Sequence, residues 1–93
     1  MVIGSLRVRL HIPLANSLKD KRSVLKKTIH RLRTHLNCAV AEVDDQDVWR
    51  SAVLAVVTVY AQKDQVEALF TAVLRDLNTA SDFEVVDQEI EIL

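Results

Sequence analysis

The order in which hydrophobic periodicity changes along the chain narrows the fold most. From Val2 to Ile12 the period is two. Gly4, Leu6, Val8, Leu10 and Ile12 fall on one side, and Ile3, Ser5, Arg7, Arg9 and His11 on the other, which is the pattern of a half-buried strand. Pro13 ends it. From Ser17 to Asn37 the period becomes that of a helix, with Leu18, Leu25, Ile29, Leu32 and Leu36 on one face. Ser17 is its N-cap, and Asp20, three positions on, suits the positive end of the helix dipole. Cys38–Val43 reads as a second strand, and Asp44, Asp45, Gln46 and Asp47 as an acidic hairpin turn. Val48–Ala61 is the most β-prone run and is largely apolar on both faces, so it belongs at the centre of a sheet or under cover on both sides. A second helix starts at Asp64, with Glu67 completing a capping-box-like pair and with Val66, Leu69, Phe70, Val73, Leu74 and Leu77 as its buried stripe. Asn78–Ser81 end it. Phe83–Leu93 is a fourth strand, predicted to turn Val86, Ile90 and Ile92 inward and Asp87, Glu89 and Glu91 outward.

The element order is therefore β-α-β-β-α-β, the ferredoxin-like split βαβ pattern of the α+β class. The expected sheet is antiparallel with order 4-1-3-2, both helices on one face and the other face open or covered by a partner. Residues 1–93 make one domain at this length. In that layout strands one and four are neighbours, so Arg7 and Arg9 are expected opposite Asp87, Glu89 and Glu91 as cross-strand pairs.

Charge is segregated. Lys19–Leu36 holds seven Lys or Arg and one Asp, a local +6 in a chain whose net charge is −1, so the remainder sums to −7. Lys19, Arg22, Lys26, His30 and Arg33 follow steps of three and four and form a stripe running roughly 21 Å beside the apolar face. The stripe reads either as a surface for phosphates, such as an RNA backbone, or as a solvated helix face. As a phosphate site it takes in Ser17, Lys19, Lys21, Arg22, Lys26 and Arg33. The open sheet face offers a second surface, Val53, Ala55, Val57 and Val59, for a partner or a second copy of the chain.

Catalytic chemistry finds little footing. His11, His30 and His35 lie in different phases, with no metal-ligand spacing. Glu42, Asp44, Asp45 and Asp47 lack the glycine and distal glutamate of a calcium loop and read as a solvated turn. Cys38, the only cysteine, reads as a small buried hydrophobe rather than a nucleophile paired with His35, and it excludes an internal disulfide framework. A single glycine cannot build a phosphate loop. Base stacking of the RNA-recognition-motif kind is poorly served, since the first strand has no aromatic residue and the third offers only Trp49 and Tyr60 at its ends. Trp49 reads as a partly buried packing residue or a partner anchor. No nucleophile–base–orienter set is present. The expectation is a non-enzymatic cytoplasmic protein with no cofactor, no metal and no membrane segment.

The stretch HIPLANSLKDKRSVLKKTIHRLR, followed by AVAEVDDQDVWRSAVLAVVTV, resembles the bacterial YlxP-like proteins, domain of unknown function 503. The residues that carry the likeness are Ile12-Pro13, the run Ser17-Leu18-Lys19-Asp20-Lys21-Arg22, and Ala41-Glu42-Val43 leading to Asp47 and Trp49. The segment Asn37-Cys38-Ala39 departs from the family, which often has a serine in the second strand. The resemblance implies a ferredoxin-like fold. Its gene neighbourhoods, rich in translation and ribosome-maturation factors, imply an RNA or ribosomal particle as partner. It assigns no catalytic residue.

Overall fold

A computed structural model describes residues 1–93. The elements are β1 (Val2–His11), α1 (Leu18–His35), β2 (Ala39–Asp44), β3 (Ser51–Tyr60), α2 (Lys63–Thr79) and β4 (Glu84–Ile92). The four strands make one antiparallel sheet in the order β2-β3-β1-β4, as expected. Alternation decides which side of the sheet is buried. Leu6, Val8 and Leu10 of β1 and Ala52, Leu54 and Val56 of β3 join Leu25 and Leu32 of α1 and Val66, Phe70, Val73 and Leu77 of α2 in one core. Both helices therefore cover one face, and the face bearing Arg7 and Arg9 is left without a layer.

Gly4 sets how closely α2 approaches β1. A Cβ there would lie 2.5 Å from Val66 Cγ1 and 2.8 Å from Phe70 Cε2, inside van der Waals contact. The chain's only glycine thus stands where a strand and a helix meet too tightly for any side chain.

Four expectations are corrected by the tertiary packing. First, β3 starts at Ser51 rather than Val48, so Trp49 lies in the connecting turn and is 51% exposed. Second, the N-cap of α2 is Gln62, and its capping box is closed by Gln65, not by Asp64 and Glu67. Third, a bulge in β4 lets Leu10 pair with Val85 after Arg9 pairs with Asp87. Val85 thereby takes the place predicted for Val86, which is 52% exposed. Ile92 packs against the core, but Ile90 on this edge strand remains exposed. Fourth, Arg7 and Arg9 do stand opposite Glu89 and Asp87, yet they bond elsewhere. Arg7 Nη2 lies 3.3 Å from Asp44 Oδ2, and Arg9 pairs with Asp45. The facing residue of β3 next to Arg7 is Ala55, whose small side chain lets the guanidinium cross toward β2.

No helix is long and apolar enough to cross a membrane.

Candidate functional site

α1 is an 18-residue helix capped by Ser17, whose hydroxyl accepts the Asp20 N–H at 3.1 Å. The Asp20 carboxylate in turn accepts the Asn16 N–H at 3.0 Å. The helix N-terminus is therefore already served by a hydroxyl and a carboxylate. Half-buried Ser17 is not free for a phosphate, and the nearby negative charge disfavours one.

The helix buries Lys21, Leu25, Thr28 and Leu32, at steps of four, three and four. Lys21 is 1% exposed. Its ammonium donates to the carbonyls of Asp45 (2.5 Å), Val48 (2.8 Å) and Ser51 (2.9 Å), with that of Gln46 at 3.4 Å. Glu42 Oε2 lies 2.8 Å away. With the three ammonium protons directed to carbonyls, Oε2 has no aligned hydrogen bond and is held by charge. Desolvating an ammonium is costly unless counter-charge and acceptors surround it, and here both do. The β2–β3 turn is thus no simple solvated loop. It wraps a cation, and that cation is a lysine of α1. Lys21 cannot meet a phosphate, and it leaves the set of candidate contacts.

Asp45 completes the turn with a positive φ of 59°, a conformation that Asp tolerates better than most residues. Its carboxylate accepts from Ser51 Oγ at 2.8 Å and from Arg9. These contacts, the Ser51 hydroxyl first, hold it below the usual carboxylate range, with the Lys21 charge adding to the effect.

The other cations of α1 divide into two groups. Lys27 pairs with Asp82 at 3.0 Å, and Arg31 makes a fork with both oxygens of Asp76 on α2, at 2.8–3.1 Å. That hydrogen-bonded fork raises the Arg31 pKa. Lys19, Arg22, Lys26 and Arg33 are exposed, and none has a carboxylate within ion-pair distance. Arg33 donates to the Val40 carbonyl of β2. Between α1 and this edge strand runs a groove of about 420 Å³ lined by Lys26, Ile29, His30, Arg33, Val40, Ala41 and Glu42.

The open sheet face has two ends. One is charged, with Arg7, Arg9, Asp87 and Glu89 around Val53, which is 1% exposed and so unavailable to a partner. Ala55 is half-buried. Val57 and Val59 are exposed at the other end, where Met1, Ile3, Cys38 and Ala39 help to line a shallow apolar hollow of about 500 Å³. Burial pushes the Cys38 thiol up, against the smaller opposing effect of Arg33, which is the wrong direction for a thiolate nucleophile.

The family described as "Protein of unknown function (DUF503)" matches residues 3–90. The chain belongs to the DUF503 family. It is 30% identical over 70 residues to "Uncharacterized protein YlxP" of Bacillus subtilis (strain 168), a match covering 75% of this chain and 76% of that protein. The DUF503 match spans α1 together with the β2–β3 turn, so it includes both Lys21 and the carbonyls around it. One signal could have exposed Lys21 in the sequence. It sits four residues before Leu25, in phase with Leu25, Thr28 and Leu32.

Proposed function

We propose that this DUF503 protein is a non-enzymatic RNA-binding module that contacts phosphates through Lys19, Arg22, Lys26 and Arg33 on α1. One observation carries the reading. Lys21, Lys27 and Arg31 each pair with a carboxylate, while Lys19, Arg22, Lys26 and Arg33 have none within ion-pair distance. An unneutralised row of this length follows a sugar–phosphate backbone and steers an anionic partner toward it. Structured RNA and ribosomal subunits are the partners of choice.

The test is co-sedimentation with ribosomal subunits and structured RNA at low and moderate salt, for wild type and for the Arg22→Glu, Lys26→Glu variant. Both side chains are exposed and unpaired, so the variant should fold normally. Binding should be salt-sensitive in the wild type and lost in the variant. Equal binding by both proteins sinks the reading.

A second reading is favoured by the make-up of the open sheet face. It carries arginines and carboxylates side by side, next to exposed Val57 and Val59. A two-fold axis through that face would set the arginines of one copy against the carboxylates of the other and cover the valines. Light scattering at low micromolar concentration tests it, and a strict monomer would exclude it.

A further inference from the structure

The groove between α1 and β2 has a composition that the phosphate stripe alone does not require. Lys26 and Arg33 line it as cations, half-buried Ile29 supplies apolar surface, and His30 adds a planar ring. Glu42 brings a carboxylate into an otherwise basic site. That carboxylate is fixed. Its Oε2 is buried against the Lys21 ammonium, which is itself 1% exposed and held by backbone carbonyls. Oε1 is the oxygen left for a ligand. The volume of about 420 Å³ lies within the roughly 300–1,000 Å³ typical of small-molecule sites.

We propose that this groove takes one unstacked guanine nucleotide of a single-stranded RNA segment, a step that rests on the RNA-binding reading above. The cations hold the nucleotide's phosphates. The base lies against Ile29 and stacks on His30, since imidazole is one of the rings on which splayed bases stack. Glu42 selects the base. An ionised carboxylate only accepts hydrogen bonds. Guanine places two adjacent donors, N1–H and the N2 amino group, on its Watson–Crick edge, where one oxygen can receive both. Adenine, cytosine and uracil each bring an acceptor to that edge beside any donor, and the acceptor would face the carboxylate unpaired. A carboxylate in a basic groove lowers general affinity for phosphates, so the Glu42 oxygen not turned to Lys21 adds discrimination between bases rather than attraction.

The experiment measures fluorescence anisotropy of labelled uridine hexanucleotides carrying one central guanosine, adenosine, inosine or 1-methylguanosine. Binding to guanosine should be about tenfold tighter than to adenosine. Inosine, without the amino group, and 1-methylguanosine, without N1–H, should both lose most of that preference. These probes alter only the RNA, so the result does not depend on a protein variant folding. In the Glu42→Gln variant, checked first for a native fold because it removes the Lys21 counter-charge, the guanosine and adenosine probes should bind with equal affinity. Equal affinity for all four probes, with binding still salt-sensitive and lost in Arg22→Glu, Lys26→Glu, overturns the guanine site and leaves the RNA reading standing. Absence of binding to these probes and to structured RNA alike overturns both.

Discussion

The Lys21 ammonium of α1 lies 2.8 Å from the Glu42 carboxylate of β2, buried in a ring of carbonyls contributed by the β2–β3 turn. One lysine thereby ties a helix, an edge strand and the chain's least regular connection to a single point. Lys21→Met should therefore be costly. It leaves Glu42 without its counter-charge and the turn carbonyls without donors, and loss of one partner of a buried pair costs about 3–5 kcal/mol. Urea unfolding measures this, and Trp49, the only tryptophan, reports the state of the turn. The exposed neighbour substitution Lys19→Met should change stability by less than about 0.5 kcal/mol. Equal effects for the two would show that Lys21 is not buried.

Gly4→Ala tests the contact between β1 and α2. The added methyl would sit 2.5 Å from Val66 Cγ1, so side chains or backbone must shift. Overpacking of this kind costs about 1–3 kcal/mol. Val66→Ala in the Gly4→Ala background should recover part of the loss, because the closest atom is removed. A thermal melt of the single and double variants decides the matter.

The Asp45 carboxylate gives stability a pH dependence of known sign. Its folded-state pKa is depressed, by the Ser51 hydroxyl first and then by Arg9 and Lys21. A depressed carboxylate stabilises the fold above its unfolded value of about 3.9 and loses that contribution as pH falls through the lower folded value. The melting temperature of wild type should exceed that of Asp45→Asn at neutral pH, and the gap should close on the acid side of about pH 4. Ser51→Ala should narrow the gap at neutral pH. A gap independent of pH would show that the Asp45 charge is irrelevant.

Arg31 and Asp76 join the two helices through a partly exposed fork. Asp76→Asn should cost up to about 1 kcal/mol, and high salt should reduce the difference. Chemical denaturation at two ionic strengths measures it.

Alkylation should find Cys38 sluggish. Burial raises its thiol pKa and Arg33 partly opposes that. The pH midpoint of iodoacetamide reaction should lie above the ordinary thiol value of about 8.5, and Arg33→Ala should move it higher still. A midpoint below that value would reverse the reading of this residue.

The sequence by itself determined the element order, the antiparallel sheet and the face that β1 buries. Periods of two and 3.6 encode the apolar side of β1 and of both helices, and right-handed crossovers place the two helices on the same side of the sheet. It also carried the basic stripe, because helical spacing alone puts Lys19, Arg22, Lys26 and Arg33 in a row. Only the tertiary structure decided which cations are free. Lys21 lies in the buried phase of α1, yet the carbonyls that make its burial tolerable are 24 to 30 residues away in the chain. No local pattern announces them. The same holds for Arg7 and Arg9. Register set their backbone opposite Glu89 and Asp87, but Arg7 reaches across Ala55 to Asp44 at the end of β2, and Arg9 passes Val53 to Asp45 in the turn beyond it. The β4 bulge that swaps Val85 for Val86 is likewise a matter of register between strands far apart in sequence. Periodicity is a local property and was readable, whereas pairing among long polar side chains depends on distances that exist only after the elements have packed.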